Sequence, residues 1–385
     1  MLFRSGDALL NVIAGRLRTL IPPPQVVTRL AGDEFGVVLT GDTGTQAAAL
    51  AGALLNALQQ PVVLNGVHLY PRISLGLSVH ENAGVSVSEW FKEVDLALHE
   101  AKRQGRARWC PYTPDLAQRH ARLAAIEERL RTALDTRSLQ VHYQPVARAG
   151  QTCWQRFEAL ARWHDPQLGS VSPAEFIPVA ETSGLISELG RQIMKRALRQ
   201  AAVWSQQTHQ RVTMHVNVSA GQLQAGDLPA QVRAALQETG CVPSQLVVEL
   251  TESEAVVATP PVIRQLNALR TMGVRIALDD FGTGHSSLSV LEQLPVDSIK
   301  IDRSFVRNID VTQRRQALLG AILKMTTELE TELVVEGVET QNERSVLDRL
   351  GVEFMQGYLL CRPHEAARFQ GAADRSGLIL TSPES

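Results

Sequence analysis

Acidic and amide side chains recur in the last two-thirds of this chain at one kind of place, inside or just after a short apolar, β-prone run. In chain order they are Glu158, Asn217, Glu249, the pair Asp279-Asp280, Glu336 and Gln356, with Lys300 between the Asp pair and Glu336. Five carboxylates brought to one point cannot all ionise unless cations neutralise them, and Lys300 supplies a single positive charge. Carboxylates with an Asn carbonyl form a hard-oxygen donor set, suited to Mg²⁺ or Mn²⁺ rather than zinc. Adjacent Asp279 and Asp280 invite two ions about 3.5–4 Å apart, bridged by a shared carboxylate. Such a centre can activate water and support in-line displacement at phosphorus.

The neighbours of these residues add context. Phe281-Gly282-Thr283-Gly284 follows the Asp pair and reads as a loop whose glycines permit close backbone approach or a moving lid. Arg162 reads as a candidate phosphate partner through bidentate hydrogen bonding. His142, His164, His215 and His285 are read as core or surface histidines rather than ligands. Cys110, Cys153, Cys241 and Cys361 lie far apart with no C-x-x-C pair, which excludes a disulfide framework or a structural zinc site and fits a reducing compartment.

The elements that must position these groups alternate. From residue 138 the strand-like runs are LQVHYQPV, WQRFEALARW, VTMHVNVS, LVVELT, VRIALDD, DSIKID, ELVVEG and EFMQGYLL, with helical stretches between most of them. Eight strands alternating with helices over about 240 residues fit a (β/α)8 barrel, whose chemistry sits at the carboxyl ends of its strands. Residues 1–112 read as a separate α/β unit. It has an opening helix, a break at Pro22-Pro23-Pro24, and two β-rich runs joined through Ala31-Gly32-Asp33-Glu34, a hairpin signal. A helix over 45–59, short strands and a closing helix SEWFKEVDLALHEAKRQGR follow. WCPYTPD ends that helix, because its prolines cannot continue it. Residues 113–137 read as a connecting helix, 138–372 as the barrel and 373–385 as a tail.

The whole chain of 385 residues carries 38 Lys and Arg against 40 Asp and Glu. This near-balance gives no footprint for DNA or for a membrane surface, where basic residues would be in excess. With 44% hydrophobic and 20% charged residues a packed core is affordable and wholesale disorder is excluded. No apolar run approaches the roughly 18 residues of a membrane span, so the expected location is cytoplasmic, although a longer parent protein could be tethered to a membrane.

Residues from about 123 to 370 resemble an EAL domain. The name-giving motif stands as Glu158-Ala159-Leu160, and YQP, FIPVAE, NVS, ELTES, DDFGTG, SIKIDRSFV, VEGVET and QGYLL follow the family order. The resemblance implies a modified (β/α)8 TIM barrel that hydrolyses cyclic di-GMP to linear pGpG with Mg²⁺ or Mn²⁺, two per barrel. It implies one metal site of Glu158, Asn217, Glu249 and Asp279, and a second of Asp279, Asp280 and Glu336. Lys300 matches the lysine that orients the attacking water, and Gln356 lies near the same centre, so the implied catalytic set is Lys300, Glu336, Asp280 and Gln356. Gln144, Leu160 and Arg162 match substrate contacts. Glu252 matches the glutamate that steadies the DDFGTG loop, which in the family links dimerisation to activity, so a homodimer is implied. His285 departs from the family, which more often has Tyr there.

The first segment resembles the later part of a GGDEF domain, the α+β nucleotidyl-cyclase-like fold of diguanylate cyclases. RLAGDEFGVVL matches the signature hairpin with Ala31 in place of its first glycine, and SGDALL matches the stretch carrying a guanine-binding Asp, here Asp7. ISLGLSV and VDLALHEAKRQGR match later segments. The strand and helix that precede this point in the family, with a metal-binding Asp, have no counterpart, and Pro22-Pro23-Pro24-Gln25 stands where the inhibitory Arg-x-x-Asp should be. The resemblance therefore implies a partial, degenerate site (Asp7, Gly32, Asp33, Glu34) without cyclase activity, cut from a longer fold, with GTP sensing as a regulatory alternative. A non-catalytic cyclic di-GMP receptor is the alternative reading of the barrel.

Overall fold

The computed structural model describes residues 2–41, 44–80, 84–252, 259–282, 291, 294–372 and 376–381, with side chains from residue 6 onward. Thr283, Gly284 and His285, named above, lie outside the described residues. The chain divides into two compact units, Met1–Ala125 and Ile126–Ser385. The helix Pro114–Asp135 contains the boundary, so the stretch read as a connector is shared between the two.

In the second unit seven strands run parallel in chain order: Arg156–Asp165, Thr213–Asn217, Leu246–Thr251, Arg275–Phe281, Ser298–Ile301, Glu332–Val335 and Phe354–Met355. Their central residues are buried almost without interruption, as expected for a sheet covered on both faces. The first strand is where the ring departs from a regular (β/α)8 barrel. Gln140–Pro145 runs antiparallel to Arg156–Asp165, and Ala147–Arg148, just after it, pairs antiparallel with Phe354–Met355. This one segment completes the ring of a modified (β/α)8 barrel. The physical reason is the short link: residues 146–155 hold no helix, and a parallel neighbour needs a crossover of a dozen or more residues.

Helices start where the sequence supplies caps. Ser172, Ser219 and Thr340 each cap a helix, with Glu175, Gln222 and Glu343 reaching back to close the capping box. Ser219 follows Asn217 by two residues, so strand end and helix start fall within one short turn. The run AEFIPVAETSGLISELGRQIMKRALRQAAVWSQ, residues 174–206, reads as one helical stretch but is two helices, Pro173–Thr182 and Ile186–Thr208, separated at Gly184 with φ 74°. Residues placed in a tail also contribute: Leu378–Leu380 pairs with Phe369–Gly371, and Leu378 is fully buried. Its apolar run L-I-L explains why it folds back.

In the first unit, Leu2–Leu20 and Gly44–Leu58 bury Ile13, Leu17, Leu54 and Leu58 together. Ala31-Gly32-Asp33-Glu34 makes the anticipated hairpin between Val26–Ala31 and Glu34–Val38, Gly32 taking φ 52°. WCPYTPD is more than a break, since Trp109–Pro111 forms a strand parallel to Leu75–Leu77.

Candidate metal centre and substrate cleft

The ring brings the strand-borne carboxylates to one place. Asn217 pairs in register with Glu249, and Thr251 with Asp279. Glu336 and Gln356 come directly after their strands, the Glu336 N–H donating to Ile301 O at 3.0 Å and the Gln356 N–H to Val335 O at 2.8 Å. Glu158 is third in a ten-residue strand rather than at its end, but it lies in the part, Arg156 to Ala159, that pairs with Thr213 to Val216.

In a regular strand Asp279 and Asp280 would face opposite sides of the sheet. Here the register slips between Leu278 and Phe281, so both aspartates lie opposite Lys300, and Asp280 adopts φ 55°. A bulge with one left-handed residue re-aims a side chain, and it turns both carboxylates toward one centre. Oxygens of Glu158, Glu249 and Asp279 lie within 4.8 Å of one another, as do those of Asp279, Asp280 and Glu336. Among the described residues these are the only such groups of three, and Asp279 belongs to both.

Lys300, 1% exposed, sits among them: its Nζ is 2.7 Å from Glu336 Oε1, 3.0 Å from Glu249 Oε1, 3.3 Å from Asp279 Oδ2 and 3.4 Å from Glu158 Oε2. Burial works against its charge, but the surrounding carboxylates outweigh it and hold its pKa well above the ordinary lysine value. The carboxylates divide. Burial would raise Glu158, but Lys300 and hydrogen bonds from Gln356 and Asn217 hold it below the usual range. Burial raises Glu249 and Glu336 well above that range despite Lys300, and raises Asp280 as well, with Asp279 adding to the effect. These groups are short of positive charge. Five carboxylates against one ammonium leave four negative charges, which two divalent cations would match.

The donor chemistry fits such ions. Glu249 Oε2 and Gln356 Oε1 are buried oxygens without a hydrogen-bond partner, a costly state unless a cation or its water meets them. Asn217 commits its amide nitrogen to Glu158 Oε1 at 2.9 Å, and Gln356 Nε2 donates to Glu158 Oε2 at 2.7 Å and to Gln144 Oε1 at 3.1 Å. Gln144 is fixed in turn by its own donation to Cys361 O at 3.0 Å. His215, read as a core or surface residue, is buried against this centre with Nδ1 2.8 Å from Glu249 Oε1. Burial, Lys300, Arg275 and Arg156 push its pKa down to about 3.

A cleft of about 210 Å³ opens beside these groups, lined by Gln144, Glu158, Leu160, Glu336 and Gln356. Asp302, Arg303, Glu339 and Tyr358 line it too, and the sequence reading did not single them out. Each lies in a motif already quoted (SIKIDRSFV, VEGVET, QGYLL), within three residues of a selected one, and that proximity was the available signal. Tyr358 is half exposed and stacks under the Arg362 guanidinium at 4.3 Å. Arg162 is not among the lining residues: its Nη1 donates to Ala161 O at 2.8 Å, and burial lowers its pKa. Glu252 is buried, and its Oε2 accepts from the Gly282 N–H at 2.6 Å. At Gly282, φ 95°, a Cβ would fall 2.3 Å from the Phe305 ring, so only glycine fits.

The acidic residues of the first unit are arranged differently. Asp7, Asp33 and Glu34 are exposed, Glu34 lies 3.9 Å from Lys102, and none belongs to a group of three ligands among the described residues.

A ring closed by an antiparallel first strand, with two carboxylate groups sharing one aspartate, defines a recognisable class. The EAL domain family matches residues 127–363, and the chain belongs to it. The diguanylate cyclase GGDEF domain matches residues 3–108, so a GGDEF segment precedes the EAL domain. Cyclic di-GMP phosphodiesterase NbdA of Pseudomonas aeruginosa is 36% identical over 93% of this chain and 46% of its own length. The bifunctional diguanylate cyclase/cyclic di-GMP phosphodiesterase MucR of the same organism is 35% identical over 94% of this chain and 53% of its own length. The chain thus spans about half the length of these curated relatives. A solved structure of the PaMucR phosphodiesterase in complex with c-di-GMP superposes with a TM-score of 0.60 at 39% identity, covering 63% of this chain and 98% of that one.

Proposed function

We propose that the second unit is a metal-dependent phosphodiesterase that hydrolyses cyclic di-GMP to linear pGpG. The observation that carries this reading is the pair of carboxylate groups sharing Asp279, built around Lys300 at the edge of a cleft. Mg²⁺ or Mn²⁺ held by Glu158, Asn217, Glu249 and Asp279, and by Asp279, Asp280 and Glu336, would lower the pKa of a bound water and offset charge on the phosphate. The chain's own residues do the rest. Lys300 holds its four carboxylate partners in place and offers a proton donor at the centre. Gln356 is held by Gln144 and Glu158, so its free carbonyl is aimed by two fixed neighbours. Leu160 and Tyr358 give the cleft apolar and aromatic wall for a guanine base, while Arg303 brings positive charge for a phosphate.

The relatives named as cyclic di-GMP phosphodiesterases support this substrate. The first unit is proposed as regulatory and not a cyclase, since its Asp7, Asp33 and Glu34 are exposed and converge on no ligand group. Incubation of the purified chain with cyclic di-GMP and either metal is expected to release pGpG. A folded chain that binds the dinucleotide but turns none over with either metal would instead be a receptor.

A further inference from the structure

The buried histidine beneath the metal centre carries an inference that rests on the metal-dependent reading above. His215 lies in Thr213–Asn217, two residues before Asn217 and hence on the same face of the strand. Its register partners are Glu158 on one side and Val247 on the other, and Val247 is itself two residues before Glu249. The imidazole thus lies level with Glu158 and one layer below Asn217 and Glu249, and it is 1% exposed.

Its contacts are unequal. Nδ1 is 2.8 Å from Glu249 Oε1, whereas Nε2 is buried and without a partner. Glu249 shows the matching asymmetry. Its Oε1 is met by both His215 Nδ1 and Lys300 Nζ, the latter at 3.0 Å, while its Oε2 is buried with no partner. Because Oε1 already accepts from Lys300, Nδ1 is the donor and carries the ring proton. Two donors on one oxygen leave the other oxygen as the carboxylate's free face.

We infer that His215 is a positioning residue for the metal site: its Nδ1–H pins Glu249 Oε1, so that Glu249 binds the divalent cation through Oε2 alone. A side chain present only to fill this layer would be apolar, like the neighbouring Val247, and would leave no buried nitrogen unpaired. The unpaired Nε2 carries the cost of an unsatisfied buried polar group, and the hydrogen bond that locks Glu249 is what offsets it. Donors behind a ligand, by fixing its orientation, typically change metal affinity 10–100-fold when removed.

The test is Mn²⁺ affinity of the chelator-stripped chain, read without substrate from the spin-resonance signal of free Mn²⁺. His215→Leu keeps the bulk and removes the donor, and is expected to weaken binding about 10–100-fold. His215→Asn places an amide N–H where Nδ1 was and should stay within about threefold of the unsubstituted chain. Unchanged affinity in His215→Leu, or equal loss in both variants, overturns the assignment. If His215→Leu loses its cooperative melt, His215→Gln takes its place: its amide sits where Nε2 was, so it should bind weakly while His215→Asn binds well, and equal affinities overturn the assignment. Turnover of cyclic di-GMP by the unsubstituted chain is measured on the same preparation. Hydrolysis without any dependence of Mn²⁺ affinity on His215 sinks this assignment alone, and His215-dependent Mn²⁺ binding without hydrolysis sinks the phosphodiesterase reading alone.

Discussion

The two units place acidic residues in opposite settings. In the barrel, five carboxylates borne by four strands gather at one centre, four of them against one buried lysine, and three of the five are held above their ordinary pKa range by burial. In the first unit, Asp33 and Glu34 sit side by side at an exposed hairpin turn, open to water, with Lys102 3.9 Å from Glu34. The motif letters are equally conspicuous in both. Chemistry follows from convergence and desolvation, and among the described residues only the barrel brings the two together.

The largest effect expected from breaking this contrast is at the barrel. Glu158→Ala or Lys300→Ala should lower cyclic di-GMP turnover by roughly 10²–10³-fold or more, the scale for losing one preorganised polar group at a reacting centre. Circular dichroism checks that the fold is retained, and near-normal rates would remove these residues from the mechanism.

The bulge offers a sharper comparison. Asp280→Gly and Asp280→Ala both delete a carboxylate, and both should lose most turnover. At φ 55° alanine keeps the backbone strain that glycine relieves. The glycine variant should therefore be the more stable of the two by about 1 kcal/mol, read from thermal melts. Equal melting temperatures would mean that the left-handed conformation is not maintained in solution.

A smaller effect belongs to the first unit. Hydrogen bonds from Arg103, against the cost of burial and with help from Gln104, hold the Glu100 carboxyl at about 2, below its ordinary 4.5. Its stabilising contribution is fully present above 4.5 and is lost as pH falls through about 2. The melting difference between the chain and its Glu100→Gln variant should accordingly shrink from pH 5 to pH 2, and a difference that stays constant would refute the pairing. The smallest effect is expected for Asp33→Ala with Glu34→Ala, within about 0.5 kcal/mol in stability and with pGpG release unaltered. A drop in pGpG release would show that the hairpin acts on the barrel.

These contrasts explain what the sequence could reveal. Glu158, Glu249, Asp279, Glu336 and Gln356 were legible because each is a polar residue in or after an apolar strand, and barrel topology alone brings such positions together. The antiparallel first strand was not legible, because LQVHYQPV has the same composition whichever way it runs. Nor was the bulge: alternation would send Asp280 away from Asp279, and only backbone conformation reverses that. Asp302, Arg303 and Tyr358 depend on turn geometry after the strands. His215 was passed over because a lone histidine in an apolar run is usually core, and its role lies in which oxygen of Glu249 it touches.

A desolvated carboxylate cluster short of four positive charges works only when divalent cations complete it. The direct measurement is pGpG release by the chelator-stripped chain as Mn²⁺ is added back, with bound metal counted in parallel. The expected result is no turnover at first, then recovery that saturates at about two Mn²⁺ per chain. Turnover that survives chelation, or full occupancy that restores none, would contradict it.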